Sequence, residues 1–210
     1  MALSNFSLEL YVVIETSMLK VPLREFILMA VSAGASALQL RDKGSTGVSM
    51  AENALIIKDT LSSLKESRPL FIINDRADIA AACGGDGVHL GVKDTPIELV
   101  KKAFPNLILG YSCNSEADAL KASQFAHYAG VGPAFHTLTK TDLRPVLGVN
   151  GIRQVVKSLS VPSVAIGGIN DGNAFDLLQS GVSGLALSSY VCSAVNPYEA
   201  LLAVKRAAYG

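Results

Sequence analysis

Several things are scarce or missing in this chain, and each omission excludes a class of function. Of its 210 residues only three are cysteine, Cys83, Cys113 and Cys192. They are odd in number and far apart, without the close pairing that a zinc site or a dithiol redox centre needs. Each therefore reads as a small buried hydrophobe. An excess of either charge is also missing, since 18 basic residues balance 18 acidic ones. Without a positive footprint, neither nucleic acid nor a membrane surface is expected as a partner. No apolar run approaches the roughly 18 residues that span a bilayer, and Met1 to Leu10 lacks the basic segment and apolar stretch of a signal peptide. The expected location is cytoplasmic. No linker or low-complexity segment breaks the chain, so residues 1–210 read as a single domain.

What is present is a rhythm. Short apolar, β-rich runs alternate with longer helical patterns about eight times. The strand-like runs are Leu8–Ile14, Ala37–Arg41, Pro69–Ile73, Val88–Leu90, Leu107–Tyr111, Tyr128–Val131, Ser163–Ile166 and Leu185–Leu187. Helical patterns follow them at Pro22–Ser32, Val48–Leu64, Ala77–Ala82, Pro96–Ala103, Ser115–Phe125, Val149–Leu159, Asn173–Ser180 and Tyr198–Ala208. Strands alternating with helices imply a parallel sheet, and eight units in a chain of this length imply a closed (β/α)8 TIM barrel. An open, doubly wound sheet is the competing architecture.

In a barrel, chemistry belongs where strands end and their following loops begin. Strand two ends in Gln39-Leu40-Arg41-Asp42-Lys43, where alternation puts Gln39, Arg41 and Lys43 on one face and Leu38 and Leu40 on the other. Two cations on one face repel unless an anion lies between them. The plainer reading is a strand end dissolving into solvated charge. Asp75 and Asp94 follow neighbouring strands, so their carboxylates could meet at one rim and hold Mg²⁺, whose octahedron phosphate and water complete. For either aspartate alone a helix cap is the commoner fate, and their occurrence together with Arg41 and Lys43 is what favours the metal. Gly167-Gly168 after strand seven lets a backbone approach an anion, and Ser188 after strand eight adds a hydroxyl.

Read in order, these segments resemble the thiamine-phosphate synthases. The family's Gln-x-Arg-x-Lys stands at Gln39, Arg41 and Lys43, its Asn-Asp at Asn74-Asp75, and its Gly-Val-His-Leu-Gly with a following aspartate at Gly87–Gly91 and Asp94. Its Gly-Pro-x-Phe-x-Thr-x-Thr-Lys runs from Gly132 to Lys140, its Ala-Ile-Gly-Gly-Ile from Ala165 to Ile169, and its closing serine is Ser188. The resemblance implies a transferase that joins a hydroxymethylpyrimidine diphosphate to a thiazole phosphate, or its carboxylated form, releasing diphosphate. It implies a pyrimidine diphosphate held by Gln39, Leu40, Arg41, Asp42, Lys43, Asn74, Ser112 and Lys140. Arg41, Lys43, Ser112 and Lys140 would act at the reacting centre, and Asp75 and Asp94 would hold Mg²⁺. The thiazole phosphate would fall to Thr137, Leu138, Thr139, Gly167, Leu187 and Ser188. The expected partners are these small phosphorylated molecules, with a homo-oligomer left open.

That chemistry suits the residue types. Charge accumulates on departing diphosphate, so lysine, arginine and Mg²⁺ stabilise the transition state, and the thiazole nitrogen brings its own lone pair. No strong protein base is called for, and no Ser-His-Asp or Cys-His set is needed. Of the three histidines, His89 reads as a hydrogen-bonded packing residue, His127 as a strand-edge residue and His136 as a solvated loop residue. Departures from the family pattern are Val92 for glutamine, Ala134 for proline and Asn114 for histidine. A related branch, the thiazole tautomerases, uses that last histidine for proton transfer. An asparagine amide cannot do this. A phosphate-binding barrel without turnover is the reading from a different class.

Overall fold

The structure, a computed structural model, describes residues 6–64, 68–136 and 144–210. Eight strands form: β1 (Leu10–Ile14), β2 (Ala37–Leu40), β3 (Leu70–Asn74), β4 (Gly87–Leu90), β5 (Ile108–Cys113), β6 (Tyr128–Val131), β7 (Ser163–Ile166) and β8 (Gly184–Leu187). They pair in sequence order, all parallel, and β8 closes onto β1 with Leu10 opposite Leu185. The expected closed barrel is therefore the one found, and the open sheet is not.

The strands are almost wholly buried because both of their faces are covered, which is why they are runs of apolar residues rather than alternating ones. Tyr11, Val13, Ile72, Ile108, Tyr128, Val164 and Ala186 fill the barrel interior as one cluster. The alternate residues, among them Leu10, Val12, Ile14, Leu38 and Leu40, pack outward against helix side chains such as Phe26 and Ile57. Each such side chain contributes about 1.5–3 kcal/mol of burial.

Helices cover the outside: α1 (Leu23–Ser32), α2 (Gly47–Ser62), α3 (Ala77–Ala82), α4 (Ile97–Ala103), α5 (Glu116–Phe125), α6 (Gly148–Lys157), α7 (Ala174–Leu178), α8 (Ser189–Cys192) and α9 (Pro197–Tyr209). Local chemistry sets several starts. Thr46 accepts from Ser49 N at 3.2 Å, and Ser115 accepts from Asp118 N at 3.2 Å. Where one closing helix was expected there are two. Asn196 caps Glu199 N at 3.2 Å and Pro197 opens α9, so the chain leaving β8 makes its own short turn, α8, first. At the barrel's N-terminal end Arg68 grips Asp86 with two bonds of 2.6 and 2.7 Å, and the same carboxylate takes Phe71 N at 2.8 Å. All three cysteines are buried and free. Among the described residues no helix is long and apolar enough to cross a membrane.

Candidate functional site

At the C-terminal mouth two cavities adjoin, with Val13, Arg41, Ile166 and Ala186 lining both. One is the throat of the barrel, walled by Tyr11, Gln39, Asn74, His89, Ser112 and Tyr128. The other opens between the ends of β1, β7 and β8, beside Glu15, Gly167, Gly168, Ser188 and Tyr190.

The throat is polar in an otherwise apolar barrel. Gln39 Nε2 donates to Asn74 Oδ1 at 2.7 Å, and Tyr11 donates to Gln39 Oε1 at 2.8 Å. The Tyr11 and Tyr128 hydroxyls meet at 2.8 Å. His89 bridges Tyr128 Oη, 3.1 Å from Nδ1, and Ser112 Oγ, 3.0 Å from Nε2. Glycine makes room for these rings. A Cβ on Gly110 would overlap the Tyr128 hydroxyl and the His89 ring, and one on Gly130 would lie 3.0 Å from His89 Cε1.

Above the throat the charged groups collect. Arg41 is buried just past β2, its backbone N–H bonded to Ile14 O at 2.9 Å and its guanidinium paired with Glu15. Lys43 lies further out, 59% exposed, with Nζ 3.8 Å from Asp75 Oδ2. Asp75 takes φ 62°, a conformation aspartate tolerates, and its N–H bonds His89 O at 2.9 Å. Burial, then the hydrogen bond and charge of Asp94, push the Asp75 carboxyl up to about 6, against the pull of Lys43 and Arg41. Asp94 is folded back so that Oδ2 takes Gly91 N at 2.6 Å. Two carboxylates brought together this closely fit a hard divalent cation, which would relieve their repulsion. Among the described residues no set of three or more potential metal ligands occurs. A cation here would complete its shell with phosphate and water, as Mg²⁺ does.

The second cavity has the features of an anion seat. Gly167 and Gly168 take φ 104° and 66°, conformations that glycine adopts freely. Ser188 Oγ is buried with no hydrogen-bond partner among the described residues, in a residue that lines the cavity. Such a hydroxyl costs about 1–3 kcal/mol until something bonds it. Tyr190 donates to Asp171 Oδ1 at 2.8 Å, tying the loops after β7 and β8 together.

Gln39, Arg41, Lys43, Asn74, Asp75, Asp94 and Ser112 thus gather at one mouth, with Gly167, Leu187 and Ser188 beside them. Lys43 does not share a strand face with Gln39 and Arg41, because β2 ends at Leu40 and the chain turns, with Ser45 N on Asp42 O and Gly44 at φ 93°. Three side chains face elsewhere, and that of Leu187 is buried in the outward-facing cluster although the residue borders the second cavity. Leu40 is fully buried on the outward face of the barrel. Asp42 takes Thr16 N and Oγ1 at 3.0 and 2.8 Å on one oxygen and Asn53 Nδ2 at 2.8 Å on the other, so its carboxylate braces the loop. A carboxylate there would also repel a diphosphate. The expectations for Thr137, Leu138, Thr139 and Lys140 lie outside the described residues.

Asn114 donates to both Gly132 O and Pro145 O at 2.9 Å, so its amide is a tie between loops. His127 Nδ1 accepts from Leu109 N at 2.9 Å at the strand edge, and His136 is exposed. His89 is hydrogen-bonded as expected, but it faces the throat. Sequence reasoning passed over Glu15, Tyr11, Tyr128 and Tyr190. Nothing in β1 or β6 flags the two tyrosines, because each stands in an apolar run that is buried throughout.

Comparison with known proteins agrees on one family. Residues 10–191 match the family model described as thiamine monophosphate synthase. The chain is 43% identical over 189 residues to the thiamine-phosphate synthase of Coprothermobacter proteolyticus, covering 89% of this chain and 88% of that one. It is also 43% identical over 189 residues to the thiamine-phosphate synthase of Pyrococcus furiosus, with coverage of 89% and 88%. The solved thiamine phosphate pyrophosphorylase from Pyrococcus furiosus superposes with a TM-score of 0.85 at 37% identity, covering 95% of each chain. A 3-hexulose-6-phosphate synthase structure, at 15% identity and a TM-score of 0.68 over 95% of this chain and 99% of that one, shares the fold alone.

Proposed function

We propose a function for this chain from one premise: it belongs to the thiamine monophosphate synthase family. It is a transferase of thiamine phosphate synthesis. The substrates we assign are a hydroxymethylpyrimidine diphosphate and a thiazole phosphate. The bond from the pyrimidine methylene to the diphosphate oxygen breaks, the thiazole nitrogen lone pair forms the new C–N bond, and diphosphate leaves.

The observation that carries the assignment is the pairing of two unlike anion seats across a shared wall. Beside the throat, Lys43, Asp75 and Asp94 cluster past Asn74, with Arg41 in the wall that both cavities share, and the other seat has glycine backbone and an unbonded serine hydroxyl. In our reading the pyrimidine enters the throat, where Gln39, Asn74 and Ser112 offer polar atoms. Its diphosphate lies at the rim beside Arg41 and Lys43. Arg41, fixed by Glu15, is preorganised and meets growing charge without reorganising. Lys43 is long and exposed enough to reach the departing group, and the resemblance adds Lys140. Asp75 and Asp94 would hold Mg²⁺, which supplies neutralisation of the diphosphate oxygens when bound. The thiazole phosphate is assigned to the cavity of Gly167, Gly168 and Ser188. Its ring then lies over the wall shared with the throat, with the nitrogen towards the methylene. Glu15 at this wall is engaged with Arg41, and the thiazole nitrogen needs no protein base.

Calorimetry followed by product analysis tests this. The pyrimidine diphosphate should bind with Mg²⁺ and lose affinity sharply with chelator. Adding the thiazole phosphate should then yield thiamine phosphate and diphosphate in equal amounts. Binding without product would leave only a phosphate-ligand barrel.

A further inference from the structure

Six side chains form an unbroken hydrogen-bonded line across the throat, in the order Asn74, Gln39, Tyr11, Tyr128, His89, Ser112. Counting hydrogens along it fixes its direction. Gln39 gives its amide N–H to Asn74 Oδ1, so the oxygen turned to Tyr11 can only accept, and the Tyr11 hydroxyl donates to it. A phenol has one hydrogen, and burial pushes both phenols above their ordinary range, so each keeps it at neutral pH. With the Tyr11 hydrogen spent on Gln39, the 2.8 Å contact between the phenols must be Tyr128 donating to Tyr11. The Tyr128 hydrogen is then spent too, so the 3.1 Å contact must be Nδ1–H of His89 donating to Tyr128 Oη. A neutral imidazole with its hydrogen on Nδ1 has a bare Nε2, to which Ser112 Oγ donates at 3.0 Å.

From this geometry we infer that Tyr11 and Tyr128 are positioning residues that hold His89 in its Nδ1–H tautomer, so that Ser112 Oγ faces the throat as an acceptor for an N–H or O–H group of the bound ligand. Bonds aligned in one direction polarise one another, and a serine that donates to imidazole is a better acceptor at its own oxygen. The barrel reserves space for this line. Gly110 and Gly130 are the positions where a Cβ would strike the Tyr128 hydroxyl and the His89 ring. The tautomer stands on the hydrogen count for an uncharged ring, and the ring spectrum reads that charge as well. Only the kinetic part of the test rests on the synthase reading above.

The test is the ¹⁵N spectrum of the histidine ring nitrogens in the whole protein, with the His89 signals assigned by their loss in His89→Gln. Wild type should carry hydrogen on Nδ1 and none on Nε2. In Tyr11→Phe, a change that does not touch the imidazole, Tyr128 regains its hydrogen for Nδ1, and the ring should move to Nε2–H. Tyr128→Phe removes the acceptor for Nδ1–H and should also give Nε2–H, donated to Ser112. In both variants kcat/KM for the pyrimidine diphosphate should fall about five- to tenfold, with KM for the thiazole phosphate within about twofold of wild type. Hydrogen on Nε2 in wild type, alone or on both nitrogens, overturns the inference. So does an unmoved tautomer in Tyr11→Phe, and a moved tautomer with unchanged kinetics overturns the acceptor role of Ser112. If Tyr11→Phe fails to fold, the wild-type spectrum and Tyr128→Phe still decide. A wild-type protein that makes no product refutes the synthase reading instead, whatever the ring spectrum shows.

Discussion

Replacing Asp75 with asparagine removes a charge and keeps the shape. The residue sits at φ 62°, which asparagine accepts as readily as aspartate, so the backbone bond to His89 O survives. Burial first, and then Asp94, raise the Asp75 carboxyl from 3.8 to about 6. A carboxyl raised on folding contributes stability that is complete below its unfolded value and is lost as pH rises through its folded value. Above about pH 6 the metal-free protein therefore carries a carboxylate whose burial and repulsion outweigh the attraction of Lys43 and Arg41, and Asp75→Asn removes it. Without screening that rise is worth about 3 kcal/mol. The side chain is 28% exposed, however, and solvent screening reduces the gain to about 1 kcal/mol. For a chain of this length that raises Tm by about 2–4 °C. Thermal melts in chelator should show Asp75→Asn above wild type by that amount near pH ~8, with the gap closing as pH falls from about 6 towards 4. The same variant should lose about 100-fold in turnover with Mg²⁺ present. A variant no more stable than wild type near pH ~8 would refute the reasoning, because burial and Asp94 would then not be penalising the charged carboxylate.

Ser188→Ala removes a hydroxyl that has no described partner, so stability should hold within about 0.5 kcal/mol while KM for the thiazole phosphate rises about tenfold, as melts and steady-state kinetics would show. Gly167→Ala places a Cβ 2.8 Å from Pro133 Cβ at a φ of 104°, which should cost about 1–3 kcal/mol in a denaturant melt. It should also raise KM for the thiazole phosphate and leave that for the pyrimidine diphosphate unchanged. Asp86→Asn weakens the grip of Arg68 at the opposite end of the barrel. It should lower stability by about 1–3 kcal/mol in urea with kcat unaltered, since that face carries stability and the other carries chemistry.

The barrel was legible because buried parallel strands must be short apolar runs, and runs such as Tyr128–Val131 and Ser163–Ile166 fall at the bounds expected from sequence. The rim residues were legible from their place after barrel strands and from the family's motifs, since charges and glycines at strand ends are common on their own. Adjacency in sequence misled at Asp42, which lies between Arg41 and Lys43 yet turns to Thr16 and Asn53. Alternation misled at Lys43, because the strand stops before it. The line through the throat was illegible for a different reason. A tyrosine inside an apolar run reads as core, and the contact between Tyr11 and Tyr128 joins residues 117 apart that meet only once the barrel closes. Glu15 likewise reads as a frayed strand end until the β1–β2 register sets it against Arg41.

The most direct test of the central claim is a single turnover. Excess enzyme is mixed with the pyrimidine diphosphate, the thiazole phosphate and Mg²⁺, then quenched and assayed for both products. Thiamine phosphate and diphosphate should appear together, one for one, and neither should form when Mg²⁺ is chelated. Diphosphate released without thiamine phosphate, or no product from enzyme shown to bind both substrates, would contradict the account.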